Sequence, residues 1–298
     1  MEHLAGSELR GRGSATHDEY LAASYVAAQL HAIGLRPGAP DGTYLQQVAL
    51  PDPLPAAIQQ RLAAFEAVPR TVTWNAIGIL PGADPELAHQ VVLLTAHLDH
   101  LGVSRATVTQ PSHVYYGADD DASGVTAVLA LARNLASGQR PARTVVVACF
   151  GSEELGSYGA RGFLRQPPVP LQSIVANLEF EMLGRPDPAL APGMLWLTGF
   201  ERTNLGATLA AHGAPLVADP HPQQGFFQRS DNLTLARDGI VAQTISSFGL
   251  HTDYHQPTDT VARIDMNHLI QAITALAPPI RWLANTSWRP QWNPNGKP

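Results

Sequence analysis

Short apolar runs alternate along this chain of 298 residues with longer amphipathic segments. Apolar runs of about four to eight residues, bounded by polar residues, are typical of strands buried on both faces of a sheet. We therefore predict strands over residues 72–80, 91–96, 144–150, 174–180, 194–198 and 240–245, and a weaker edge strand over 43–50. Helical spacing, with start and stop signals, predicts helices over 18–33, 125–135, 157–165, 202–212, 230–237 and 265–282.

Strands that alternate with helices form βαβ units, which give a sheet covered on both faces. The sequence therefore predicts an α/β fold with three layers, α/β/α, around a central mixed, mostly parallel sheet. No internal repeat or break in composition divides the chain, so we expect one domain over 1–298 with an irregular tail over 288–298. The proline-rich stretch 51–69 is expected to be a loop with a short helix. It is not taken as a domain boundary, because the residues before it are too few for an independent domain.

Composition and charge exclude several classes of function. The net charge is −6 and no basic run occurs, so we expect no nucleic-acid partner. No apolar stretch reaches the roughly 18 residues that a membrane-spanning helix needs, and no signal peptide is apparent. Cys149 is the single cysteine, so it cannot form an intrachain disulfide and is expected to be a buried apolar residue.

The first candidate functional residues follow the predicted strand over 91–96. His97 and Asp99 follow it, and residues two apart share one face of an extended chain. Three adjacent aspartates, Asp119, Asp120 and Asp121, then precede the helix over 125–135. Adjacent carboxylates repel one another, so they are costly unless a cation neutralises them. This stretch therefore predicts a metal site.

Further acids and a histidine occur at the ends of other predicted strands. Glu153 and Glu154 follow the strand over 144–150, Glu181 follows the strand over 174–180, and His255 lies in a late polar segment. Open α/β sheets bind ligands at the carboxyl ends of their strands, so these side chains are expected to meet. Oxygen and imidazole donors without thiolate favour zinc, cobalt or manganese.

Five segments, in this order, resemble the co-catalytic di-zinc aminopeptidases: HLD, GADDDASG, SEELG, EMLGR and DYHQPTDT. These bacterial leucyl-type enzymes belong to a clan, MH, that also contains glutamate carboxypeptidase and glutaminyl cyclase. The resemblance extends over about residues 4–284 and includes the segments 6–12 and 229–231. It implies a zinc-exopeptidase (phosphorylase/hydrolase-like) fold, a peptide substrate, a monomer, and a secreted or periplasmic location.

The resemblance also implies a role for each matching residue. Asp120 would bridge two zinc ions, which His97 and Glu181 on one side, and Glu154 and His255 on the other, would complete. Glu153 would be the general base that takes a proton from the metal-bridging water or hydroxide and passes it to the leaving amine. The family also implies a cis peptide bond between Asp120 and Asp121.

Other residues are assigned supporting roles. Asp99 would orient the His97 ring by accepting its second N–H. Arg229 and Phe248 would contact the substrate. Asp119 and Asp121 are expected to make hydrogen bonds in their loop and at the start of the next helix. The remaining histidines near these motifs are expected at the surface or behind the ligands: His100, His113 and His251.

The sequence alone leaves several of these assignments open. The bacterial aminopeptidases usually have aspartate where this chain has Glu181, and Glu179 is a second candidate ligand on the same strand face. Arg229 could instead pair with Asp231. The three phenylalanines near the late motifs could line a substrate pocket or pack in the core: Phe226, Phe227 and Phe248. A carboxypeptidase, a dipeptidase, a glutaminyl cyclase and a non-catalytic relative remain alternatives to an aminopeptidase.

Overall fold

A nine-stranded mixed sheet forms the centre of this computed structural model, which describes residues 1–298. A separate two-stranded sheet, formed by Gly102–Val103 and Val114–Tyr115, lies in the loop after the fourth strand. The strands β1 to β11 are Arg36–Pro37, Leu45–Ala49, Val72–Leu80, Val91–His97, Gly102–Val103, Val114–Tyr115, Thr144–Phe150, Ile174–Phe180, Leu195–Leu197, Leu216–Ala218 and Ala242–Ser246.

The strand order in the large sheet is β1-β3-β7-β4-β8-β11-β9-β10, and β2 also pairs with β3. The four central strands, β7, β4, β8 and β11, are parallel to one another. Antiparallel pairs occur on both sides of them, between β3 and β7 and between β11 and β9. Every residue of β4, β7 and β8 is buried, as expected for strands covered on both faces.

Helices cover both faces of this sheet. The helices α1 to α7 are His17–Ile33, Ala56–Leu62, Gly124–Ala136, Tyr158–Arg165, Leu205–Ala211, Asp231–Arg237 and Met266–Leu283. Helices α1, α3 and α7 contribute to the larger apolar core on one face, whereas α4 and α6 pack on the other face. The predicted three-layer α/β fold is therefore confirmed. None of these helices combines the length and the apolar character needed to cross a bilayer.

Local sequence signals determine where helix α1 begins and ends. Helix α1 begins after Thr16, whose side chain accepts a hydrogen bond from the Glu19 N–H, and it ends at Gly34, which has a φ of 89°. The left-handed conformation at Gly34 suits a residue without a Cβ atom. The predicted helix over 202–212 begins only at Leu205, because a tight turn occupies Phe200–Arg202.

The C-terminal tail packs against the body of the protein. Trp292 forms an isolated bridge with Thr203, and its indole N–H donates to the Gly239 carbonyl at 3.1 Å. The buried Arg143 guanidinium donates to the Trp288 carbonyl at 2.7 Å. These contacts fix the tail although it contains no helix or regular strand.

Candidate metal centre

The parallel strands β4, β7 and β8 end at the same edge of the sheet. His97 is the last residue of β4, Glu154 lies four residues after the end of β7, and Glu181 directly follows β8. Asp120 comes from the turn before α3, and His255 comes from the loop after β11. The structure thus brings together the five residues for which the resemblance implied metal binding.

Asp120 lies at the centre of this group, with its two carboxylate oxygens facing different partners. Oδ1 is 3.0 Å from His97 Nε2, which is 3.9 Å from Glu181 Oε1. Oδ2 is 3.0 Å from His255 Nε2, which is 3.1 Å from Glu154 Oε1. One carboxylate is therefore shared by two clusters of donors.

His100 is a further member that the sequence reasoning missed. It was expected at the surface or behind the ligands, yet it is fully buried, with Nδ1 at 3.1 Å from Glu154 Oε1 and 3.7 Å from Asp120 Oδ2. Gly117 makes room for it, since a Cβ atom there would lie 2.6 Å from the imidazole ring. Its position three residues after His97 was the one available signal.

Several buried atoms of this group have no hydrogen-bond partner. They are His97 Nε2, His100 Nδ1, Asp120 Oδ2 and Glu154 Oε1. Buried polar atoms are nearly always paired, so unpaired donors and acceptors gathered around the two oxygens of Asp120 call for a cation. His97, Asp120 and Glu181 place their ligand atoms within 4.8 Å of one another, and so do His100, Asp120 and Glu154. Imidazole and carboxylate donors without thiolate fit zinc, cobalt or manganese.

The loop that carries Asp120 is held by buried charged side chains. The Asp259 carboxylate accepts hydrogen bonds from the backbone N–H groups of Asp119 and Asp120 at 3.0–3.1 Å. Asp121 accepts from the N–H groups of His97 and Gly124, as well as from Met182. The Asp120–Asp121 peptide bond is cis, as the resemblance implied.

Arg12 is a second residue whose importance the sequence did not reveal. Its buried guanidinium donates to the carbonyl groups of Leu98, Tyr116 and Gly117 at 2.7–3.0 Å. These carbonyls belong to the two loops that follow His97 and precede Asp120. One side chain from the N-terminal segment therefore fixes the relative position of both loops.

Asp99 holds a different partner from the one expected. Its carboxylate Oδ1 is 3.7 Å from His97 Nδ1, whereas its backbone carbonyl is 3.2 Å away and faces the ring. The carboxylate instead accepts hydrogen bonds from the N–H groups of Glu153, at 3.0 Å, and Glu154, at 3.3 Å. The side chain of Asp99 thereby orients the segment that carries both glutamates.

The two glutamates near the end of β8 lie in different surroundings. Glu179 is fully buried and accepts hydrogen bonds from the Asn232 N–H at 2.6 Å and the Thr244 hydroxyl at 3.2 Å. Glu181 is partly exposed and directs its carboxylate towards His97. The geometry favours Glu181 over Glu179 as the residue available to a metal.

Glu153 is partly exposed and lies beside the donor clusters. Burial raises the pKa of its carboxyl well above the ordinary value, and the neighbouring Glu154 and Asp231 carboxylates raise it further. A carboxyl with a raised pKa holds a proton more readily near neutral pH, which suits a residue that accepts and then returns a proton.

Three non-glycine residues at this edge of the sheet have left-handed backbone conformations. Ser152, Met182 and His255 have φ values of 51°, 54° and 55°. Such a conformation costs about 1–3 kcal/mol and tends to occur at functional sites. Two of these residues directly adjoin Glu153 and Glu181, so the strain coincides with the donor groups.

An apolar pocket of about 360 Å³ opens beside Glu181. Trp196 and Phe226 stack in its wall with ring centroids 5.1 Å apart, and Phe248 meets Phe226 edge-on at 5.8 Å. Arg229 forms no ion pair with Asp231; its guanidinium donates to the Tyr254 hydroxyl at 3.2 Å and stacks on Phe226.

Phe227 does not line the pocket and packs in the core around α6. Among the other histidines, His113 is exposed, whereas His251 Nε2 lies 2.9 Å from Asp119 Oδ2. His251 therefore lies behind the loop that carries Asp120, one of the two positions expected for it.

Glu19 supports the segment that leads to Glu153. Glu19 lies in the first turn of α1, is fully buried, and accepts hydrogen bonds from the Ser152 N–H at 2.8 Å and from the Thr73 hydroxyl. Burial, followed by the charge of Asp99, raises the pKa of Glu19 to about 8.

This pKa predicts a pH-dependent stability. The folded protein favours the neutral form of Glu19. The contribution of Glu19 to the free energy of unfolding is therefore complete below the ordinary pKa of 4.5 and is lost as the pH rises through about 8. Each unit of pKa difference corresponds to about 1.4 kcal/mol. In Glu19→Gln, the free energy of unfolding should fall less steeply between about pH 5 and 8 than in the unaltered protein. Denaturant titrations of both proteins measure the two slopes, and parallel slopes would contradict the assignment.

Comparisons with known proteins find relatives of this chain among the peptidases. A model of peptidase family M28 matches residues 75–278. A probable lipoprotein aminopeptidase, LpqL, of Mycobacterium tuberculosis is 29% identical over 185 residues, covering 62% of this chain and 32% of that protein. A vacuolar membrane protease of Meyerozyma guilliermondii is 32% identical over 120 residues, covering 38% of this chain and 11% of that protein. The matches thus span about a tenth to a third of these relatives' length.

The fold is shared with a solved structure. BSAP, a zinc aminopeptidase from Bacillus subtilis, superposes with a TM-score of 0.68 at 15% identity, covering 96% of this chain and 93% of that chain. At this identity, the likeness shows a common fold.

Proposed function

Because this chain belongs to peptidase family M28 and is a metallo-exopeptidase, we propose that it is a zinc-dependent aminopeptidase. It would hydrolyse the N-terminal peptide bond of peptides. One observation carries the proposal: the two oxygens of Asp120 lie 3.0 Å from His97 and 3.0 Å from His255, so one carboxylate is shared by two donor clusters. A shared carboxylate is the arrangement that a pair of metal ions needs.

The chain offers donors for two ions. His97, Asp120 and Glu181 would hold one zinc, and Asp120, Glu154 and His255 would hold the other. Cobalt or manganese could use the same donors. When bound, such a pair supplies Lewis-acid activation of the peptide carbonyl and of a water molecule.

The residues of the chain would manage the proton. Glu153 would take a proton on its carboxylate as the water oxygen bonds to the peptide carbonyl carbon, and would then deliver it to the leaving nitrogen as the C–N bond breaks. Asp99 would hold Glu153 in place through the Glu153 N–H, at 3.0 Å. The raised pKa of Glu153 supports this role.

The apolar pocket would select the first residue of the substrate. Its aromatic walls, formed by Trp196, Phe226 and Phe248, favour an apolar side chain. Arg229 and Tyr254 lie at its rim and would contact the peptide near the bond that is cleaved. From the resemblance alone, we also propose that the enzyme acts as a single-domain monomer outside the cytoplasm.

Zinc added to the metal-free protein should restore hydrolysis of leucyl-p-nitroanilide and of Leu-Gly-Gly. N-acetyl-Leu-Gly-Gly should be cleaved far more slowly, because an aminopeptidase requires the free amino group. Initial rates at matched zinc concentrations measure both effects. Equal cleavage of the acetylated peptide would instead indicate a carboxypeptidase, and no metal-dependent turnover of any substrate would defeat the proposal.

A further inference from the structure

A second cavity, the polar cleft, adjoins the apolar pocket. It has a volume of about 1040 Å³ and shares Arg229 and Tyr254 with the pocket. Glu153, Glu154 and His255 also line it, so the donor clusters and the proposed base face into the cleft. The remainder of its wall carries a group of arginines, which we name the arginine cluster: Arg61, Arg161, Arg229 and Arg237.

These arginines come from separate parts of the chain. Arg61 is in α2, Arg161 in α4 and Arg237 in α6, whereas Arg229 lies in the loop before α6. Helices α4 and α6 pack against each other, so Arg161 and Arg237 project from a fixed pair of helices. The fold therefore gathers four guanidinium groups beside the donor clusters.

The arginine cluster has no acidic partners within the protein. All four side chains are exposed and none forms an ion pair, in contrast to Arg10, which pairs with Glu66 at 2.7 Å. Only Arg229 makes a side-chain hydrogen bond, to the Tyr254 hydroxyl. The Arg161 guanidinium also lies over the Tyr158 ring, 5.5 Å from its centroid. The N–H groups of the other three members make no hydrogen bond to the protein and are free to meet an anion in the cleft.

The position of the cleft indicates which part of a peptide would reach the arginines. In the proposed aminopeptidase, the first side chain occupies the narrow apolar pocket, and the peptide beyond the cleaved bond must leave through the wider cleft. The anions that peptides carry are carboxylates, and guanidinium groups bind these through paired hydrogen bonds.

We propose that the arginine cluster recognises a carboxylate on the leaving part of the peptide. The carboxylate is either the free C-terminus of a short peptide or an acidic side chain near the cleaved bond. This inference rests on the proposed aminopeptidase function and adds a preference for the substrate's anionic end. Arg161 and Arg237 are the members to test, because Arg229 is already engaged by Tyr254 and Phe226.

The test compares substrates that differ only in charge. Values of kcat/KM are measured for Leu-Gly-Gly against Leu-Gly-Gly-amide, and for Leu-Gly-Glu-amide against Leu-Gly-Gln-amide. We expect the unaltered zinc enzyme to prefer the anionic member of at least one pair by about tenfold at low salt. The first pair reports on a free C-terminus and the second on an acidic side chain.

The double variant Arg161→Gln/Arg237→Gln should abolish most of this preference. Arg165→Gln is the matched control, because Arg165 is an exposed arginine of the same helix as Arg161 but lies outside the cleft. The control should keep the preference. If the unaltered enzyme shows no preference in either pair, or if the double variant retains it, the inference is wrong while the aminopeptidase function stands.

Binding measurements distinguish failure of this inference from failure of the proposed aminopeptidase function. Calorimetry measures the binding of both substrate pairs to the zinc-loaded Glu153→Gln protein, with and without the two arginine substitutions. A preference for the anion that disappears with the arginines supports the cluster even if no substrate is hydrolysed. Equal binding of the charged and uncharged peptides would overturn it.

Discussion

Replacing Glu153 with glutamine should lower kcat by roughly 100- to 10,000-fold, since an amide cannot accept and return the proton that general base catalysis requires. Glutamine has almost the same size as glutamate. The Asp99 carboxylate accepts a hydrogen bond from the backbone N–H of residue 153, and this bond does not depend on the side chain that is replaced. The zinc content of the variant should therefore match that of the unaltered protein. Turnover of leucyl-p-nitroanilide and metal analysis of the same sample measure the two effects.

Glu86→Gln provides the matched control, because Glu86 is exposed and lies in a loop away from the donor clusters. It should leave both the rate and the metal content unchanged. Full activity in Glu153→Gln would remove Glu153 from the role of base. Loss of zinc together with activity would instead indicate that Glu153 is a ligand.

Replacing Asp120 with asparagine should remove metal from both donor clusters, because each cluster uses one oxygen of the same carboxylate. An amide offers one neutral oxygen, so neither ion would keep a charged ligand at this position. Zinc retained after dialysis should fall from the proposed two ions per chain to fewer than one, and hydrolysis should fall at least about 100-fold. Metal analysis after dialysis measures the first quantity.

Asp119→Asn is the matched control for this experiment. Asp119 is equally buried and adjacent, but its carboxylate contacts the Gly184 N–H and His251 rather than the donor clusters. We expect this variant to be less stable and still to retain two zinc ions. If Asp120→Asn retained both ions, or lost only one, the carboxylate would not be the shared ligand.

The centre of the fold could be predicted from the sequence because its strands are buried on both faces. Such strands are apolar throughout, and β4, β7 and β8 lie within one residue of their predicted bounds. Strand β10, Leu216–Ala218, was not predicted because three residues carry too little periodicity to stand out. The antiparallel pairs on both sides of the centre depend on long-range packing, which local patterns do not encode.

In the candidate site, too, some residues could be predicted from local sequence patterns and others could not. Residues directly after a buried strand, such as His97 and Glu181, could be assigned to one sheet edge, since parallel strands end together. His100, Arg12 and Glu19 could not, because their burial depends on contacts with segments far away in the chain. A charged residue that supports a site from a distance has no local pattern that distinguishes it from a solvent-exposed one.

Arg12 has a consequence for choosing the smallest active fragment of this protein. The family model begins at residue 75, yet the guanidinium that joins the Leu98 carbonyl to those of Tyr116 and Gly117 comes from a position more than sixty residues earlier. A polypeptide trimmed to the matched region would leave these three carbonyl groups, two of them buried, without their donor. It would therefore lose the geometry of the candidate metal centre even though every proposed metal ligand remained in its sequence.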